Sequence, residues 1–257
     1  MKTTPRSLDA VFTDPPYFGN VQYAELMDFC YVWLRRVMDG RGAFGGVSTR
    51  NTEELTGNVN MSRGLEHFAA GLSAVFQKMA NALRPGAPLV FTYHHNKMEA
   101  YYPVAAAVLD AGLTCSASLP CPAEMGASIH ISGTDSSIVD TVFVCRSKGV
   151  TQRHLLADDT DSVAALVSGD VQKLREGGIK VGVGDVRCIT RGHLIRIAIW
   201  HLRGNWDKSI QTAAKLSAVS KQIENMEGPS AIERSILRLP TSDVGVFPAT
   251  LNLRSEN

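Results

Sequence analysis

The chain lacks the marks by which several protein classes declare themselves. No run of eighteen or more apolar residues occurs, and Met1 to Ala10 (MKTTPRSLDA) is polar, so neither a transmembrane helix nor a secretion signal is readable. A soluble, cytoplasmic protein with no membrane partner is expected. No CxxC pair occurs, and the five cysteines at 30, 115, 121, 145 and 188 are odd in number. A zinc ribbon and a disulfide framework are therefore excluded as readings, and buried, reduced thiols are expected. There is no charge excess either: 26 Lys+Arg against 25 Asp+Glu leave a net charge of +1, which names no partner and excludes none. What the 257 residues do have is 44% hydrophobic content, enough for a packed core in one large or two small domains.

Residues 9 to 13 (DAVFT) form a short apolar run that stops at two prolines, which reads as a buried strand ending at Thr13. Tyr23 to Met38 carries apolar residues at 26, 29, 30, 33, 34 and 37, the three-and-four spacing of a helix face. A Gly-, Asn- and Thr-rich loop fills 39 to 60, and a helix is predicted over 62 to 83, stopped by Arg84-Pro85-Gly86. A strand follows at 88 to 95, a helix at 98 to 112 with Gly112 as its stop, then strands at 113 to 120 and 137 to 147. Alternating strands and helices predict an α/β fold, a mostly parallel sheet covered on both faces, and the last two strands predict an antiparallel edge.

After Gly149 strand-like runs vanish, and helical periodicity returns near 161 to 176, 186 to 203, 207 to 224 and 229 to 238. The expected division is a catalytic region at 1 to 149 and a helical tail or small helical domain at 150 to 257. Residues 171 to 221 hold ten Lys/Arg against Glu176, Asp185 and Asp207. Arg187, Arg191 and Arg203 on one predicted helix could track phosphates, and a solvated helical face is the equal alternative. Trp200 with Ile195, Ile197 and Ile199 reads as its packed side.

The chemistry concentrates in Asp14-Pro15-Pro16-Tyr17, a string whose chance occurrence in such a chain is on the order of one in a thousand. Two consecutive prolines hold the turn extended and remove two N–H donors, leaving their carbonyls as acceptors. Asp14 adds a carboxylate, so the turn presents acceptors without competing donors. An exocyclic amine suits it: its two N–H groups can be taken by Asp14 and the Pro15 carbonyl, which frees the nitrogen lone pair. Tyr17, with Phe18 beside it, offers a flat face for a planar ring such as an extruded base. The bland alternative is a proline turn that ends a strand, with Tyr17 in the core.

This turn resembles the signature of the S-adenosylmethionine-dependent amino methyltransferases, (Asp/Asn/Ser)-Pro-Pro-(Tyr/Phe/Trp) after a strand, which act on adenine N6 or cytosine N4. The longer run DPPYFGNVQYAELMDFCYVWLRR (14 to 36) is similar to a bacterial and archaeal branch of adenine-specific DNA methylases, large chains that also carry a zinc ribbon. The resemblance covers about residues 8 to 148. It implies the second half of a Rossmann-like methyltransferase sheet, S-adenosylmethionine as methyl donor and DNA as partner. It implies Asp14 and Pro15 as amine acceptors and Tyr17 as stacking platform, with Pro16 completing the catalytic turn and Thr13, next to Asp14, near the methionine moiety. Phe18 and Asn20, with Arg41 and Arg50 from the loop as a candidate lid, are the expected substrate contacts, and Gln22 and Glu25 could join them.

Two parts of that family's pattern are missing. The cofactor's Gly-rich turn and the acid that reaches its ribose are not readable, and thirteen residues before Asp14 cannot hold the two strands and helix that would carry them. The one later candidate, Val181-Gly182-Val183-Gly184-Asp185, lacks the third glycine and reads better as a loop. The expectation is a C-terminal part of a longer or split methyltransferase, completed by a chain carrying the cofactor-binding half. The alternatives are a non-catalytic nucleic-acid-binding remnant or subunit, or the same chemistry on RNA or cytosine. His94-His95 at a strand tip has no carboxylate or cysteine at ligand spacing, so no metal is expected.

Overall fold

Alternating burial along two proline-free strands organises the sheet. In the computed structural model, which describes residues 5–19, 21–38, 41–51, 54–58, 62–123, 137–147 and 159–226, every second residue of LVFTY and VDTVFVCR is buried. The elements are β1 (Val11–Thr13), α1 (Tyr23–Val37), α2 (Leu65–Ala82), β2 (Leu89–Tyr93), α3 (Tyr102–Asp110), β3 (Thr114–Pro122), β4 (Val139–Arg146), α4 (Thr160–Glu176), α5 (Val183–Leu202) and α6 (Thr212–Asn225). The helical period at 229 to 238 lies outside the described residues.

The sheet order is β1-β2-β4-β3. β1 pairs with β2 in parallel, and β4 is antiparallel to both β2 and β3, so three strands share a direction and one is reversed. The antiparallel edge expected of the last two strands is present, since β3 pairs antiparallel with β4 at one end of the sheet, but the sheet is not mostly parallel: β1–β2 is the one parallel pairing of three, and β4 lies in the interior. The reason is in the residues: Pro120 and Pro122 cannot donate to a ladder on both sides, which confines β3 to the edge, whereas β4 has no proline to forbid two neighbours. A bulge between Cys115 and Ala117 shifts the β3 register, with Ser116 Oγ donating to Val144 O.

Coverage also departs from expectation. α2 packs on the Phe91 and Phe143 face through Phe76, with ring centroids 4.8 Å apart for Phe76–Phe91 and 5.3 Å for Phe91–Phe143. α5 lies on the same face, where a Cβ on Gly192 would meet Ser118 Oγ at 2.5 Å and Thr141 Cγ2 at 2.8 Å, so any larger residue would force those side chains or the helix to shift. On the opposite face Phe12 remains 75% exposed, and Leu119 is exposed too. The helices of residues 160–226 share this core: Val163, Val167, Leu194, Ile195, Ile197, Ile199 and Val219 are buried in one cluster with Phe91 and Phe143.

The helix expected at 98 to 112 opens as a single 3-10 turn, Met98–Tyr101, places Pro103 in its first turn and ends at Gly112 with φ of +71°. At the far end of α3, buried Asp110 accepts from Trp206 Nε1 at 2.9 Å and pairs with Lys215 Nζ at 2.9 Å, which anchors α6. Lys215 and Arg196 are thus interior members of the basic stretch. Of the cysteines, 115, 145 and 188 are buried free thiols, but Cys30 and Cys121 are exposed, against expectation: one sits on an outward helix face, the other on the edge strand.

Candidate functional site

Parallel pairing of β1 with β2 sets Thr13 opposite Phe91, and the next residue of each strand, Asp14 and Thr92, meet at the carboxyl tips. Such tips are where open α/β sheets bind their ligands. Asp14 is exposed, and its Oδ1 accepts from Tyr17 Oη at 2.9 Å and from Thr92 Oγ1. No described residue donates to its Oδ2 or to the carbonyls of Pro15 and Pro16. One carboxylate oxygen is held in place and the other receives no donor among the described residues.

Tyr17 therefore serves the turn itself: its hydroxyl reaches back to Asp14, and its ring stands edge-on to Tyr93, centroids 5.3 Å apart. Burial, with the negative charges of Asp140 and Asp14, pushes its phenol far above the ordinary range, outweighing the opposing hydrogen bond with Thr92, so it is a neutral donor. Phe18 packs edge-on to Phe68 of α2 at 5.5 Å, and its N–H faces Tyr93 Oη at 3.4 Å. Tyr93 in turn donates to Ala100 O at 2.8 Å, so the turn is tied to the next segment of the chain.

Sequence reasoning missed Thr92 and Asp140. Asp140 lies 3.8 Å from His94 Nδ1 at the start of β4, which reaches the same tips because that strand is reversed. Burial holds the His94 and His95 imidazoles below their ordinary pKa, so both are neutral at pH 7 and the Asp140 contact is polar rather than ionic. Cys188 Sγ lies 3.5 Å from the same His94 Nδ1, and burial pushes its thiol up. With one nitrogen facing both groups and a fully buried sulfur, this is not a nucleophile–base pair. No group of three or more metal-ligating side chains exists among the described residues.

The loop between α1 and α2 leans on the turn. Gly57 comes so close that a Cβ there would meet the Phe18 ring at 2.7 Å, and its carbonyl accepts from Gln22 Nε2 at 3.0 Å. Arg50 lies 3.5 Å from Asp28 and, with Glu54 and Arg63, lines a small cavity of about 90 Å³. Arg41 is exposed just before a 3-10 turn, Gly42–Phe44. Asn20 lies outside the described residues.

Among the described residues, the late glycine-containing candidate forms no cofactor turn. Val181 and Gly182 precede α5 and Val183–Asp185 open it: Gly182 is the helix cap, and buried Asp185 accepts from Gly182 N at 2.8 Å, Ser137 Oγ at 2.8 Å and Ile138 N at 2.7 Å. An acid so engaged is not available to a ribose. Thr13 and Asp14 lie together at the tip of β1. No protein family, curated protein or solved structure matches the chain.

Proposed function

We propose that this chain provides the amine-receiving side of an S-adenosylmethionine-dependent N6-adenine methyltransferase acting on DNA. The observation that carries the reading is the state of Asp14, with Oδ1 held by two hydroxyls and Oδ2 unclaimed among the described residues, beside two prolines that offer carbonyls and no N–H. Asp14 Oδ2 takes one amine proton and the Pro15 carbonyl the other, which turns the nitrogen lone pair away from the turn. The surplus proton of the methylated amine leaves to solvent, so the neutral His94 and His95 need not act as bases. The mixed sheet, three strands in one direction and one reversed, agrees with the second half of the methyltransferase sheet that the Asp-Pro-Pro-Tyr resemblance implies.

A second reading rests on β1. Among the described residues it pairs with β2 on one side only, with Phe12 exposed, which favours a subunit completed by a chain that carries the cofactor-binding half. The test for both is transfer of tritium-labelled methyl from S-adenosylmethionine to adenine-bearing DNA by the full chain, alone and with the proteins that copurify with it. Label in N6-methyladenine, lowered about 10²–10³-fold by Asp14→Ala, is expected. Label only in the mixture supports the second reading, label in cytosine or RNA changes the substrate, and transfer that Asp14→Ala leaves unchanged overturns the assignment.

A further inference from the structure

Helix α1 is built inside out. Its polar side faces the chain: Asp28 accepts from Ser48 Oγ and Thr49 N, both at 2.6 Å, Thr49 Oγ1 donates to Ala24 O at 2.6 Å, and Tyr31 donates to Gly46 O at 3.0 Å while stacking on Phe44. The apolar stripe that the sequence spacing marks points to solvent. Phe29 is 74% exposed, Trp33 57% and Val37 80%, and Tyr23, Leu26, Met27 and Leu34 are exposed with them. At 3.6 residues per turn these side chains and Cys30 sweep about half the helix circumference with no charge among them. A continuous apolar patch of this kind marks an interaction surface.

The charges on its border select the occupant. Glu25 in the first turn and Arg36 in the last lie on the same flank of the stripe, and neither is in an ion pair among the described residues. In a pair of helices related by a two-fold axis and running antiparallel, a flank meets its own copy. Glu25 of one helix then stands level with Arg36 of the other, within a residue of the height at which Leu26 meets Val37 and Phe29 meets Trp33. A parallel pair would set the two charges on opposite sides. The surface is thus self-complementary in shape, in apolar content and in charge, as an isologous contact must be.

We infer that α1 is a homodimer interface, two copies of this chain packing antiparallel through Leu26, Phe29, Trp33 and Val37 with reciprocal Glu25–Arg36 pairs. One helix pair is below the standard interface size, so dissociation constants in the micromolar range are expected, roughly 1–100 μM. The inference does not depend on methyl transfer.

The test is sedimentation equilibrium of the full chain across that concentration range. Dimer is expected for the wild type, and Val37→Asp, at a site too exposed to disturb the fold, should weaken it at least tenfold with an unchanged circular dichroism spectrum. Glu25→Arg and Arg36→Glu should each weaken association, and the two together should restore it. In a Cys121→Ser background, a short bismaleimide should join Cys30 to Cys30. A wild-type monomer at 100 μM would overturn the proposal and assign the face to a different polypeptide, as would a dimer that Val37→Asp and the charge exchanges leave unchanged.

Discussion

Replacing Asp110 by alanine should be among the most damaging single changes in the chain. Asp110 is 4% exposed, and its carboxylate holds Lys215 Nζ at 2.9 and 3.0 Å and Trp206 Nε1 at 2.9 Å, joining the end of α3 to the segment that leads into α6. Without it, the Lys215 ammonium stays buried with the Lys208 carbonyl, 2.8 Å away, as its one remaining acceptor, and the indole N–H loses its partner. Breaking one side of a buried ion pair costs about 3–5 kcal/mol, mostly from the charge left behind. In urea, at an m-value near 2–3 kcal/mol/M, the midpoint should fall by about 1–2.5 M with the slope unchanged. Removing both charges as Asp110→Leu with Lys215→Met should recover most of the loss, because the uncompensated ammonium is gone. A loss below about 1 kcal/mol for Asp110→Ala would refute the reasoning, since it would mean that the pair is solvated and does not anchor α6.

Two further perturbations test the frame around the site. Gly192→Ala should destabilise by about 1–3 kcal/mol, because its methyl would collide with Ser118 and Thr141 where α5 meets the sheet, and thermal unfolding reads it; an unchanged midpoint would mean that α5 is not seated there. Asp28 is held at a pKa of about 2 by the Ser48 hydroxyl and by the Thr49 amide and hydroxyl. Because the folded value is depressed below the ordinary 3.8, the contact supports the loop above about pH 4 and is lost as pH falls through about 2. The Thr49 amide resonance should titrate with that low midpoint, and a midpoint near 4 would contradict the bonding described.

The residues proposed to carry chemistry are local, and so the strand, turn and helix that hold them were legible. A strand that ends at two prolines, a turn with acceptors only and a following helix need nothing beyond a dozen neighbouring side chains, and β1, the turn and α1 stand where the spacing put them. What was not legible depends on distant pairing. Thr92 reaches Asp14 only because β1 and β2 align in one particular parallel register, and a period-two pattern does not encode a register between strands. The interior place of β4 has its signal in Pro120 and Pro122: ending the strand at Pro120 leaves Pro122 outside it and misses that the two prolines mark an edge. The outward turn of α1 was hidden because spacing identifies an apolar face without saying what covers it; here Asp28 binds the loop and claims the opposite side for the chain.

If Asp14 receives an exocyclic amine, base-specific binding shows it without the methyl donor. Fluorescence anisotropy should compare a single-stranded oligonucleotide bearing adenine with one bearing purine, which lacks only the 6-amino group. A hydrogen bond to an ionised acceptor is worth about 1.5–3 kcal/mol, so the adenine strand should bind about tenfold tighter or more. That preference should vanish in Asp14→Ala and shrink in Thr92→Val, which frees the carboxylate from one of its two supports. Equal binding of adenine and purine by the wild type, or a preference that survives Asp14→Ala, would contradict the account.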